Sequence, residues 1–598
     1  MRVLSVVVLL AVSCAFGQDG VMRPASVSDL DRNAVGFGSL DPRVSMWIWS
    51  DKYVYRAGDP LTLKWTVKTN GDLYPYTVVA YRQNNQTGVK TYFPGGAEVT
   101  DTSNNKVADG FQPVRLQNVT KAVLLGSGGT LGDVVTVPNE LGMHTFVVQL
   151  RDYTGNRVLK AAYMKIGVVS EQVAVSGSIT AATTWVNTKS YLISGIVAVK
   201  NDATLAIEPG TFVFGASGSQ PPSALLITRN GKINASGSKS RPIVMTSAQA
   251  FGQRKRGDWG GLIVLGKAPI NVGANTAGNT NAAGTFFIEG LSATDDGLYG
   301  GTDPNHSCGT LRYVRMEYSG SILSPNNETN SFTWGGCGKG TVADHLQAIY
   351  GLDDSFEWFG GNMDAKYLVG GLGADDFVDF QLGYTGRVQY GVFYQSPDAR
   401  GNRGIEGDNS EYDNAASPSS NPTMFNLTFI GSGNPGFDEA SSPGLFLRRG
   451  ARGTFNNIVV QNFYSASVEF NDATTQAQMD AGNVSMNGIL IWANNLAAQG
   501  ANTLTGQIVN AATLAFAQGT RGQGNGKNFL VADPQMRRIT EFSDPDWTGV
   551  FGSPIFRAGW VSPPDDGFFD QSATFLGGIG DDNWMDEWTS FLVETDIA

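Results

Sequence analysis

The sequence predicts an all-β chain in which an N-terminal immunoglobulin-like β-sandwich precedes a parallel β-helix. Three observations carry that prediction. Asp353-Asp354, Asp375-Asp376 and Pro397-Asp398 lie 22 residues apart, and Glu357 and Asp379 keep the same step, an interval within the repeat lengths of solenoids. Short apolar runs bounded by turn residues recur from about residue 173 onward. Glycine is abundant (75 of 598 residues) and charged side chains are sparse at 16%, which suits turn-rich β structure better than helices.

Residues 1–17 read as an export signal. Arg2 supplies the positive start, Leu4 to Val12 the apolar core, and Ala15-Phe16-Gly17 a small-x-small cleavage site. A lipid anchor at Cys14 ranks behind cleavage after Gly17, because Ala11 stands where a lipobox carries a larger aliphatic residue. Residues 18–40 read as a loose leader. Over residues 41–170 the pattern is that of the sandwich: a Gly58-Asp59 turn leads into strict alternation at Leu61, Leu63, Trp65 and Val67, the mark of a half-buried strand.

The solenoid is expected over residues 171–500. The run Ala203 to Phe214, followed by Gly231 to Gly237 and Arg241 to Ser247, has the opening cadence of a right-handed β-helix. Residues 501–598 hold one helical stretch, Ala511 to Ala517, and a Trp-rich tail with Trp547, Trp560, Trp584 and Trp588. The tail is expected to cap the last coil, since an open β-helix end exposes unpaired strand edges.

Charge and cysteine usage narrow the functions. A net charge of −12 argues against nucleic acid, which demands a basic face. No stretch after residue 17 approaches the apolar length of a membrane span, so an extracellular or outer-surface location is expected. With Cys14 removed, Cys308 and Cys337 form an even pair in Gly-rich surroundings, and a disulfide is the expected outcome in an oxidising compartment. His144, His306 and His345 show no zinc-ligand spacing with them.

Arg256 to Asn271 (RGDWGGLIVLGKAPIN), Asp353 to Gly361 (DDSFEWFGG) and the tail Phe575 to Trp584 together resemble a family of secreted bacterial β-helix proteins and lipoproteins of the pectin-lyase-like superfamily. The resemblance spans about residues 190–590. It implies a right-handed parallel β-helix and an envelope or extracellular location, and it brings no catalytic residues with it. Polygalacturonases of that class add a Gly-His-Gly and an Arg-Ile-Lys to their paired aspartates, and this sequence has neither.

The chemistry of interest is the acidic spacing. In a β-helix, residues one coil apart stack at about 4.8 Å, where carboxylates repel unless a cation, a base or a proton intervenes. Asp353, Asp354, Glu357, Asp375, Asp376 and Asp379 are therefore expected to bind Ca²⁺, whose hard oxygen ligands they supply. A lyase would add an arginine as proton acceptor, making Asp354, Asp376, Arg400 and Arg403 the catalytic candidates; a glycosidase would use a carboxyl pair. The bland reading is that aspartates after glycine cap backbone groups at coil corners. Trp358 is the candidate for stacking on a sugar, with core packing as its competing role. Arg256-Gly257-Asp258 matches an adhesion tripeptide but reads better as part of a corner packed by Trp259. The expected role is binding or adhesion to a glycan or surface protein, stiffened by Ca²⁺; the alternative is a carbohydrate-active enzyme working on the Asp353–Asp379 face.

Overall fold

The structure, a computed structural model, describes residues 14–16, 22–24, 44–69, 76–85, 90–93, 99–101, 114–116, 131–151, 158–219, 221–273, 284–291, 295–324, 327–396, 398, 402–433, 442–495, 502–522, 529–539, 544–557 and 559–591. Most of the expected export signal and leader lies outside these residues; Cys14–Phe16 pairs antiparallel with Met22–Pro24. Residues 44–168 hold two sheets. Val44–Trp49, Pro60–Thr69 and Leu131–Thr136 make one, and Tyr76–Asn84, Gly142–Arg151 and Val158–Val168 lie at the centre of the other. The run with strict alternation is the strand Pro60–Thr69, antiparallel to Val44–Trp49. Among the described residues no helix is long and apolar enough to cross a membrane.

From residue 172 the strands of two long sheets pair in parallel, coil upon coil, as a right-handed β-helix, with three short antiparallel pairs among the described residues outside them. One sheet gathers the long strands Gly309–Glu317, Val342–Ile349, Asp364–Gly371, Arg387–Tyr394, Thr423–Ile430, Gly453–Gln461 and Val484–Trp492. The second gathers Phe332–Gly335, Phe356–Phe359, Val378–Gln381, Ile405–Asp408, Pro443–Arg448 and Ala466–Phe470. Their inward side chains stack by kind. Phe332 lies over Phe356 at 5.4 Å, Trp334 over Trp358 at 5.1 Å and Trp358 near Tyr384 at 5.3 Å, so large rings fill these layers. At the Arg256–Trp259 corner, a Cβ on Gly215 would meet Trp259 at 2.4 Å; only glycine admits that ring.

Each long strand bends at one residue in the left-handed region: Tyr313, His345, Tyr367, Tyr390, Asn426, Asn457 and then Gly488, with φ between 47° and 67°. Gly and Asn adopt this conformation readily and His more often than most residues, whereas Tyr is strained in it. The strain is offset by stacking: Tyr313 on His345 and His345 on Tyr367 at 4.2 Å, and Tyr367 on Tyr390 at 4.9 Å.

The tail departs from expectation. Helices cover the last coils: Ala473–Asp480, N-capped by Asp472, and the expected Ala511–Ala517, N-capped by Asn510. Phe516 reaches the core against Phe470 at 5.3 Å. The Trp-rich segment instead runs along the flank, back over earlier coils. Asn457 makes a two-point amide clamp to the backbone of Val561, Gln389 one to Asp570 and Gln347 one to Ser590. Trp584 and Trp588 close edge-on over His345. The bent column presents rings and amides on the outside of the coil, and the tail covers them.

Candidate functional site

The acidic residues belong to two columns. The first is a corner column in which each side chain holds the next coil. Asn330 Oδ1 accepts the backbone N–H of Asp354 at 3.2 Å, Asp354 Oδ1 that of Asp376 at 2.9 Å, and Asp376 Oδ1 that of Arg403 at 2.5 Å. These steps are 24, 22 and 27 residues. The third rung is therefore Arg403, and the expected Pro397-Asp398 rung is corrected: a longer coil carries Asp398 to an exposed position, where Arg256 pairs with it at 2.7 Å. Asp353 and Asp375 stand beside this column, half-buried. Pro397 and Arg400 lie outside the described residues.

The second column lies on the outward face of the second sheet. Alternation along each strand sends Phe356 and Trp358 inward and Glu357 outward. In register, Thr333, Glu357, Asp379, Glu406 and Phe446 follow one another coil by coil. Glu406 was missed by the sequence reading because a search at a step of 22 passes over a step of 27. Adjacent carboxylates about 4.8 Å apart, at an effective dielectric near 20, repel by about 3 kcal/mol. That is too large to leave uncompensated.

Compensation is lopsided. Glu406 is held by Arg403 at 3.1 Å and Arg448 at 3.0 Å, and Arg448 and Arg449 also hold Asp408 at 2.8 and 2.6 Å. Among the described residues no basic side chain pairs with Asp353, Asp354, Glu357, Asp375 or Asp379. Glu357 takes amide hydrogen bonds from Asn330 and, at 2.9 Å, from Gln381. Asp379 is 8% exposed, and its Oδ1 has no hydrogen-bond partner. Burial first, and Glu357 and Glu406 second, push the Asp379 carboxyl well above its usual range. Burial and Asp353 do the same to Asp354, and burial and Glu289 to Glu357. Asp375 rises to about 7, through burial and Asp376.

Two of the catalytic and ligand readings change. Burial lowers the Arg403 pKa, but Asp376 and Glu406 outweigh it and the net shift is upward. That shift favours the protonated guanidinium, which pairs with Asp376 and Glu406 at the end of the row. Trp358 is fully buried between Trp334 and Tyr384 and has no face for a ligand; its role is core packing. Asp258 is also buried, accepting from Ser217 and Ser247, so the Arg-Gly-Asp segment is a corner. Cys308 and Cys337 form the disulfide, with Cα atoms 5.9 Å apart.

Three sets of carboxylate oxygens lie within 4.8 Å of one another: Asp353, Asp354 and Asp375; Asp354, Glu357 and Asp379; and Asp376, Asp379 and Glu406. Two oxygens bound to one Ca²⁺ at 2.3–2.6 Å lie no more than about 5 Å apart. Donor type and spacing therefore fit a hard divalent cation, and the unpartnered Asp379 oxygen is the atom most in need of one.

Residues 177–548 match the model of a family described as the pectate-lyase like beta helix domain. Among solved structures, the chain is similar to a family 28 exopolygalacturonase of Yersinia enterocolitica. That similarity has 11% identity and a TM-score of 0.21, and it covers 75% of this chain and 92% of that one; a superposition so weak bears on neither substrate nor mechanism. No curated protein sequence matches the chain.

Proposed function

We propose, from the premise that the chain belongs to the pectate-lyase-like β-helix domain family, that it is a carbohydrate-active protein handling an acidic polysaccharide through a divalent cation on its carboxylate row. The observation that carries this reading is Asp379, a buried carboxylate with an unpartnered oxygen, stacked in register between Glu357 and Glu406. Glu357, Asp379 and Asp354 would hold the ion. When bound, Ca²⁺ would neutralise a uronate carboxylate and make the adjacent C–H more acidic, the assistance a lyase needs.

The chain's own residues set up that site. The corner caps of Asp354 and Asp376 fix the strands that present Glu357 and Asp379. Burial and Asp376 push the Glu406 carboxyl well above its usual range, and Arg403 and Arg448 oppose that rise while pairing with it at 3.1 and 3.0 Å.

The test is equilibrium binding of galacturonate oligomers with Ca²⁺ and with EDTA, while following the ultraviolet absorbance of unsaturated ends on polygalacturonate. Calcium-dependent binding is expected, and a rise in absorbance would assign the lyase step. Absence of binding in both conditions would overturn the reading.

A second reading has one observation in its favour. Glu357, Asp379 and Glu406 are all under a tenth exposed, which suits an ion that only stiffens the coils of a binding or adhesion protein. Its signature is a calcium-dependent melting temperature with no uronate binding.

A further inference from the structure

We infer that Phe286 and Tyr412 form a sugar-stacking platform at the margin of the carboxylate row; this rests on the reading of that row as an acidic-polysaccharide site. Two segments converge there. Phe286 lies in the strand Thr285–Phe287, which pairs with Leu298–Gly300, and Glu289 follows it. Tyr412 comes after the strand Ile405–Asp408, the one that delivers Glu406 to the row. The two rings meet edge to face, with centroids 5.8 Å apart. Tyr412 is 38% exposed, one of the exposed large apolar side chains among the described residues.

Its position is held from several sides. The Ser410 hydroxyl accepts the Tyr412 N–H at 3.3 Å, and the Tyr412 hydroxyl bonds to Glu411, which Arg449 reaches at 3.7 Å. Tyr412 stands four residues beyond Ile405–Asp408, the strand that carries Glu406, which sets the platform beside the row. An exposed aromatic ring backed by a second one is what the apolar face of a pyranose needs. The apolar C–H face of the sugar covers the ring, while its carboxylate reaches the cation. Trp358, inside the coil, cannot offer this.

The experiment is calorimetric titration of the full chain with trigalacturonate in Ca²⁺, comparing wild type, Tyr412→Ala and Tyr412→Phe. Calcium affinity without sugar and melting temperature are recorded for each. Tyr412→Ala should weaken trigalacturonate binding about three- to tenfold, the range of one aromatic contact, with calcium affinity and melting unchanged. Tyr412→Phe should bind as wild type does, because the face and not the hydroxyl makes the contact. If wild type binds and Tyr412→Ala binds equally well, the platform is wrong while the cation site stands. Wild type failing to bind trigalacturonate overturns both. Should Tyr412→Ala melt early, Phe286→Ala and protection of Tyr412 from iodination by trigalacturonate decide the question, and absence of protection counts against the platform.

Discussion

Asp354 Oδ1 accepts the backbone N–H of Asp376 at 2.9 Å, joining side chain to main chain one coil apart. Asn330 does the same for Asp354, so the corner needs an oxygen and not a charge. Asp354→Asn should keep the cap and Asp354→Ala should lose it, lowering stability by about 1–2 kcal/mol as a buried N–H goes unmet. Urea unfolding in EDTA near pH 6 measures both, and equal midpoints for the two variants would refute the capping role.

The raised carboxyls make stability depend on pH with a definite sign. Asp379, Asp354 and Glu357 bind protons more tightly when folded than when unfolded, and so does Asp375, at about 7. Their contribution is complete below the unfolded value near 4 and fades as pH rises through the folded values. In EDTA the melting temperature should therefore fall between about pH 4 and pH 8. Calcium should restore it, and the increment should grow with pH because the ion takes the deprotonated form. A calcium increment independent of pH would contradict the assignment.

The flank segment should contribute strongly to stability although it crosses no core layer. Gln389 both donates to Asp570 O and accepts from Asp570 N, at 3.1 and 2.7 Å. Gln389→Ala should lower stability by about 1–3 kcal/mol. Trp588, fully buried and edge-on to Tyr313 and His345, should cost about 3–5 kcal/mol on truncation to alanine. Limited proteolysis should then cut the tail before the coils; simultaneous digestion of both would argue against separate docking.

The disulfide closes a separation of 29 residues, which in the loop-entropy model stabilises by about 3–4 kcal/mol. Replacing Cys308 and Cys337 together by serine should lower the urea midpoint to that extent without altering calcium affinity, since neither cysteine touches the carboxylate row. An unchanged midpoint would show that neighbouring coils already hold the loop.

The order of residues alone determined the coil, the inward stacks and two adjacent rungs of acid. Period, alternation and turn residues act locally, and Glu357 and Asp379 keep the period. Where coil length changes, that logic stops. The step from Asp376 to the next rung is 27 residues and not 22, so Arg403 replaces Asp398 in the corner column and Glu406 joins the row, a substitution visible only when strands pair. The burial of Trp358 against the exposure of Tyr412 was likewise a tertiary matter, because an aromatic's role depends on which face of the strand points into the coil and on what covers the other. The flank segment shows the limit most plainly. Gln389 and Asp570 are 181 residues apart, and amides that read backbone leave no trace in the sequence of the segment they hold.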